Sequence, residues 1–159
     1  MTMKKIVAVL LVLLGSNIFP CKQKGVLEIF GCQDNILITV KMSFPPHFSY
    51  NVLEGFCYRT YGSIKLENKG NKECELFFVD LDINGEYLKC KNTDFAIMRY
   101  VNEFLNPNQS QDLKVRWDVV GNYNEIYTIE KIVCPINTDI LACKYDNDME
   151  IDTIRFVNY

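Results

Sequence analysis

The stretch Gly25–Met42, GVLEIFGCQDNILITVKM, decides how this chain folds. Two apolar, β-branched runs, Gly25–Phe30 and Ile36–Met42, flank Gly31, Gln33, Asp34 and Asn35, residue types that favour turns. The pattern predicts two strands. Beyond them, Ser43–Gly55 with Pro45 and Pro46 reads as a loop or ragged edge, and Cys57–Leu66 as a third strand in which Tyr58, Thr60, Ser63 and Lys65 alternate roughly with their neighbours. After a polar turn at Asn68–Lys72, Glu75–Leu81 and Glu86–Lys91 predict a hairpin across Asp82, Ile83, Asn84 and Gly85, because Asn-Gly readily adopts the left-handed turn conformation. Leu113–Val120, Glu125–Val133, Ile140–Cys143 and Met149–Val157 add further strands.

One stretch departs from this period. Phe95, Met98, Val101, Phe104 and Leu105 recur at helical spacing behind Thr93 and Asp94, and Asn106-Pro107 closes the run, so a single short helix is predicted there. Roughly eight or nine strands and one helix in one domain's length specify an all-β fold, a β-sandwich.

On the N-terminal side, Met1–Pro20 reads as a secretory signal peptide. Lys4 and Lys5 supply the positive end, Ile6–Leu14 is an unbroken apolar core, and Gly15, Ser16 and Asn17 are small or polar. The apolar run is too short to span a bilayer, and no second long apolar run follows. The expected product is a secreted, extracellular protein with one domain over residues 21–159 and no transmembrane segment. Removing Met1–Pro20 takes away two lysines, so the net charge moves from −3 to −5 (15 basic against 20 acidic residues). A mildly acidic chain without a basic run is a poor binder of nucleic acid.

Export changes the reading of the seven cysteines. No CxxC pair occurs and His47 is the only histidine, so zinc-ligand spacing is absent and disulfides are expected. Seven is an odd number: either one thiol stays free or pairs with another chain, or cleavage falls after Cys21 and leaves six. Cleavage after Ser16 or Asn17 is chemically easier and makes Cys21 the odd thiol; either way Cys32, Cys57, Cys74, Cys90, Cys134 and Cys143 are the disulfide candidates. Asn108-Gln-Ser110 is the one N-glycosylation sequon, and it falls in a loop.

Four groups of residues could carry function. Asp80, Asp82, Asn84 and Gly85 match the first half of a Ca²⁺-binding EF-hand loop, but Lys91 stands where the bidentate glutamate belongs. A plain hairpin turn is therefore preferred, with Ca²⁺ as the only cofactor in view. Asp146, Asp148, Glu150 and Asp152 would project from one face of a continuous strand, most simply a solvated one. His47 lacks a neighbouring nucleophile and acid that would suggest a relay, so no enzymatic activity is expected. The aromatics are more suggestive. Phe44, Phe48, Tyr50, Phe56, Tyr58 and Tyr61 crowd the second loop and third strand, and aromatic loops on a rigid sandwich commonly bind; the ligand-binding candidates are Phe44, Phe48, Tyr50, Phe56 and Tyr58, with His47 among them. Trp117 is expected to anchor the core.

Taken in order, these pieces resemble the nematode transthyretin-like family of secreted proteins. The resemblance rests on Gly25-Val-Leu, Cys32 and Val40-Lys41-Met42, on Asp82-Ile-Asn-Gly-Glu-Tyr-Leu88, and on Cys134 and Cys143 before the last strand. It departs from the family in having Ile132 and Val133 where a histidine and an aspartate usually stand, in a longer span between Gly85 and Cys134, and in the additional Cys57, Cys74 and Cys90. The resemblance implies a transthyretin-like sandwich that acts outside the cell by binding; an immunoglobulin-like sandwich has the same strand pattern. It does not imply hydroxyisourate hydrolysis, since the related hydrolases need histidines and a C-terminal tyrosine-arginine-glycine-serine motif, and this chain ends Arg155-Phe-Val-Asn-Tyr159. The function expected is recognition of an extracellular protein, lipid or small hydrophobic ligand, with a homodimer left open. The alternative is a parasite or viral effector that binds a host receptor or cytokine.

Overall fold

The structure, a computed structural model, describes residues 23–93, 104–137 and 145–159. It is all-β, as the residue pattern requires: the described residues form fourteen strands and no helix. In chain order these are β1 (Gly25–Gln33), β2 (Ile36–Phe44), β3 (His47–Asn51), β4 (Gly55–Asn68), β5 (Cys74–Glu75), β6 (Phe78–Val79), β7 (Leu81–Ile83), β8 (Glu86–Asn92), β9 (Phe104–Leu105), β10 (Ser110–Val119), β11 (Ile132–Val133), β12 (Pro135–Asn137), β13 (Tyr145–Asp148) and β14 (Glu150–Asn158). A large curled antiparallel sheet runs β11-β7-β8-β10-β4-β2-β1-β14, with β3 added beside β4. A small sheet, β13-β12-β6, and the pair β5-β9 complete the fold.

The opening hairpin sets one wall of the core. Leu27 and Ile29 of β1 and Ile36, Ile38, Val40 and Met42 of β2 point to the buried side, while Glu28 and Lys41 pair outside at 2.9 Å. Asp34 at the tip takes φ 51°, a conformation aspartate tolerates through its short polar side chain. The second hairpin, β7-β8, turns on Asn84 (φ 55°) and Gly85 (φ 87°), the paired positive values of the turn whose twist matches the strands.

Trp117 is the expected core anchor. It is fully buried, and its indole Nε1 donates to the Val79 carbonyl at 2.8 Å, joining β10 of the large sheet to β6 of the small one. Beside it, Gly62 of β4 lies between Met42 of β2 and Val115 of β10. A methyl group at Gly62 would run into the Lys41 carbonyl and come within 3.0 Å of Trp117 Cζ3.

Several expectations are corrected. Glu75–Leu81 is not one strand but three short pieces, because Leu76–Leu81 is buried residue after residue and threads between layers. Ser43–Gly55, expected as a loop, contains β3. Glu125–Val133 is irregular except at Ile132–Val133. Of the helix expected to begin at Phe95, most lies outside the described residues, and its last positions, Phe104 and Leu105, are extended. The signal peptide and the Ile140–Cys143 strand also lie outside them. The four alternating carboxylates do not share one strand. The chain changes sheets at buried Met149, whose N–H donates to the Cys134 carbonyl at 2.8 Å, so Asp146 and Asp148 belong to β13 and Glu150 and Asp152 to β14.

The disulfide framework is likewise not formed among the described cysteines. Cys32, Cys57, Cys74, Cys90 and Cys134 are all free thiols, while Cys21 and Cys143 lie outside the described residues. Burial pushes the Cys134 thiol up to about 12 and holds Cys90 well above its usual value, so neither forms a thiolate readily.

Two measurements check this reading. Gly62→Ala should lower the denaturation midpoint by an amount equivalent to about 1–3 kcal/mol, the usual range for overpacking, while Ser63→Ala on the outer face stays within about 0.5 kcal/mol of the parent. An unchanged Gly62→Ala midpoint would contradict the packing. Alkylation of the native protein should modify the partly exposed Cys32, Cys57 and Cys74 and spare Cys90 and Cys134 until denaturant is added; a disulfide joining any two of these five in the unreduced protein would refute it.

Candidate functional site

β4 is long because it serves two purposes. Its C-terminal part pairs with β2 and β10 inside the sheet, and its N-terminal part, Gly55–Arg59, pairs with β3 to form a hairpin. Alternation along a strand divides the hairpin into two faces. One carries Phe48 and Tyr50 of β3 opposite Tyr58 and Phe56 of β4. The other carries His47 opposite Arg59.

The aromatic face is solvent-exposed. Phe48 is 57%, Tyr50 60% and Phe56 70% exposed, and the tip residues Val52 and Leu53 reach 85% and 94%. The rings pack on one another: Phe48 stacks on Phe56 with centroids 5.2 Å apart, Tyr50 lies 4.7 Å from Phe56, and Phe48 meets Tyr58 edge-on at 5.2 Å. Tyr123, from the irregular segment after β10, closes the row at 4.4 Å from Tyr58. Such mutual packing restricts the freedom of the rings.

The opposite face holds the hairpin in place. At the tip, Asn51 Oδ1 accepts from the Leu53 N–H at 2.9 Å and shapes the turn. Glu54 then folds back onto two guanidinium groups, accepting from Arg59 Nη2 at 2.8 Å and Arg116 Nη2 at 2.6 Å. Asp118, opposite Arg59 on β10, lies 3.4 Å from Arg59 Nε and 2.9 Å from Lys91 Nζ. The arginine donors hold the Glu54 carboxyl below its ordinary value of 4.5.

The structure unites four of the six aromatic-loop residues singled out in the sequence, Phe48, Tyr50, Phe56 and Tyr58, and removes the other two. Phe44 is buried at the end of β2, edge-on to Phe156 at 5.8 Å. His47 lies on the far face, stacked on Tyr61 at 6.0 Å. Sequence reasoning missed Val52, Leu53, Tyr123 and the Glu54–Arg59–Arg116–Asp118 network. The signal was present in the period-two spacing of Phe48, Tyr50, Phe56 and Tyr58 about a central turn, but Pro45 and Pro46 pointed to a loop.

The three residues considered for Ca²⁺ are engaged elsewhere. Asp80 is fully buried and accepts from Tyr87 Oη at 2.5 Å, the Cys90 N–H at 2.6 Å and Asn137 Nδ2 at 3.4 Å. Asp82 Oδ1 accepts from the Gly85 N–H inside the turn. Asn84 clamps a neighbouring segment, accepting from the Glu130 and Lys131 N–H groups and donating to the Thr128 carbonyl. Among the described residues no group of three or more histidine, cysteine or acidic side chains could hold a metal ion. Asn108, the sequon residue, is exposed on a tight turn with φ 62°. No helix among the described residues is long and apolar enough to cross a membrane.

Comparison with protein-family models, curated proteins and solved structures gave no match.

A carboxyl lowered on folding contributes stability that is present above its unfolded value and is lost as pH falls through the folded one. Acidification below 4.5 should therefore loosen the hairpin tip, read as faster amide hydrogen exchange at Asn51–Gly55 relative to β1 and β2. Glu54→Gln should remove this acid-dependent step; an identical pH profile in that variant would show that Glu54 does not anchor the tip.

Proposed function

We propose that this is a secreted binding protein of the extracellular space, and that its contact surface is the aromatic face of the β3-β4 hairpin. One observation carries the reading: Phe48, Tyr50, Phe56, Val52 and Leu53 form a contiguous exposed apolar surface on a pinned hairpin. Exposed aromatics that are already packed lose little freedom on binding, and tyrosine, tryptophan and arginine dominate the energetic centres of protein interfaces. The transthyretin-like resemblance and the N-terminal signal sequence support an extracellular setting, and the all-β fold is consistent with both.

A protein partner suits this face better than a lipid surface. Leu53 and Val52 supply an apolar tip, but the basic groups behind it, Arg59 and Arg116, are already engaged by Glu54 and Asp118, which leaves them poorly placed to meet anionic headgroups. Charge next to an aromatic centre is the usual arrangement of a protein interface, with its polar rim. Binding without chemistry is the proposal.

Affinity capture from extracellular fluid by the parent protein and by Phe48→Ser and Phe56→Ser variants tests it. A saturable protein partner should be retained by the parent and weakened by about tenfold or more in each variant, the range expected for a truncated interface centre, with thermal midpoints nearly unchanged because both side chains are exposed. Undiminished capture by both variants would eliminate the hairpin as the contact surface, and binding of all three proteins to neutral vesicles with no protein captured would eliminate the protein-partner reading. A host receptor or cytokine among the captured proteins would identify the effector form of the same function.

A further inference from the structure

Three asparagines use their side chains to shape turns and fasten loops. Asn51 Oδ1 accepts from the Leu53 N–H, Asn68 bonds the Gly70 N–H and the Lys72 and Leu105 carbonyls, and Asn84 bonds the backbone at Thr128, Glu130 and Lys131. Asn108 does not. Among the described residues its side chain enters no hydrogen bond; only its backbone N–H does, donating to the Asn68 carbonyl at 2.9 Å.

The turn that carries it is nonetheless firm. Asn106-Pro107-Asn108-Gln109 is closed by the Gln109 N–H donating to the Asn106 carbonyl at 3.0 Å, with proline in second place and φ 62° in third, the signature of a type II turn. Gln109 Oε1 folds back to accept from the Asn106 N–H at 3.0 Å. Beneath the turn, buried Asn68 donates its N–H to the Gln109 carbonyl at 2.9 Å and its amide to the Leu105 carbonyl at 2.9 Å. Residues 106–110 are all exposed.

We propose that Asn108 carries an N-linked oligosaccharide, a modification that rests on the secreted reading above. Asn108-Gln109-Ser110 supplies the acceptor amide and, two residues on, the hydroxyl that the glycosyl transferase of the secretory compartment reads. Asn108 Nδ2 bonds to the anomeric carbon of a saccharide presented on a lipid pyrophosphate. The carbon–oxygen bond to the pyrophosphate breaks, the lipid pyrophosphate leaves with that electron pair, and the amide gives up one proton. The fold then has only to tolerate the product, and it does, because no native side-chain bond of Asn108 is lost and the sugar lies in water. Its place also spares the hairpin. Ser110↔Glu67 and Asp118↔Arg59 are the two ends of the β10-β4 ladder, about 26 Å apart at the rise of an extended strand, so the glycan stands at the end away from the Glu54–Arg59 anchor.

Translation of the full chain in an extract containing endoplasmic-reticulum microsomes tests this. The parent should be imported, trimmed at its N-terminus and made heavier by one oligosaccharide, and peptide-N-glycosidase should reverse that gain and leave an aspartate in place of Asn108. Ser110→Ala and Asn108→Gly, the second chosen because glycine keeps the positive φ, should be imported and trimmed without the gain. In the purified glycoprotein, enzymatic removal of the sugar should change amide hydrogen exchange at residues 105–111 and not at residues 51–55. An imported and trimmed parent without a glycan, or a gain kept by both variants, overturns the site. A parent that stays outside the microsomes overturns the secreted reading and the site with it, and exchange changes at residues 51–55 overturn the placement.

Discussion

A single buried carboxylate governs how the two sheets meet. Asp80 sits where the chain leaves β6 of the small sheet and enters β7 of the large one. Burial pushes its carboxyl above the ordinary value, and such a group is tolerated only with donors around it. The Cys90 N–H and Tyr87 hydroxyl come from β8, and the Asn137 amide from β12, so satisfying this one side chain requires both sheets in their native positions. The Asp80 N–H in turn donates to the Pro135 carbonyl at 2.9 Å. Trp117 adds a second tie between the same layers. Hydrophobic burial drives the layers together without direction; these hydrogen bonds select how they sit.

With the layers fixed, β4 can be used beyond the core. Its register with β10 continues to Asp118↔Arg59, one step past Trp117↔Thr60, which places Arg59 where it can reach back to Glu54 at the hairpin tip. Isolated two-stranded hairpins are marginal in water. This one stands because its base is shared with the sheet and its tip is tied to Arg59 and Arg116. The apolar aromatics are then left on the face that the ion pairs do not use. An arginine buried to the extent of Arg59 must be paired, so the network is a condition of the hairpin rather than an addition to it.

What was legible in the chain follows from which physical terms are local. Alternation in Gly25–Met42 and the Asn84-Gly85 turn are local, and both strands and turns stand where the residues put them. The aromatic crowd at Phe48–Tyr58 was also visible, although Pro46 before His47 hid the strand that organises it. The break at Asp80 was not legible, because the run Leu76–Leu81 looks like a strand and only the distant Asn137 and Cys90 explain why it changes sheets. The cysteines behave in the same way: export makes disulfides the expected reading, but where a thiol sits is set by tertiary packing, and Cys90 and Cys134 are parts of the buried core. The case for export therefore rests on the N-terminal segment and not on bridges.

The irregular segment after β10 was read as a strand, and its lack of one is what makes it useful. A strand over Glu125–Val133 would present alternate residues to a single sheet. As an irregular chain it instead reaches two parts of the surface: Tyr123 packs on Tyr58 at the end of the aromatic row, and a few residues later Ile129 and Ile132 line a cleft shared with Ile154 and Phe156 of β14. Such a path leaves backbone groups without a ladder, and side chains must supply the partners. Asn84 supplies three of them from the hairpin turn, and Tyr123 Oη accepts from the Ile126 N–H. An asparagine at a left-handed turn position thus does two jobs that no other residue type combines as well: it adopts the positive φ of the β7-β8 turn, and its amide offers both a donor and an acceptor to the segment alongside. Asn84 thereby fastens the irregular segment to the β7-β8 turn.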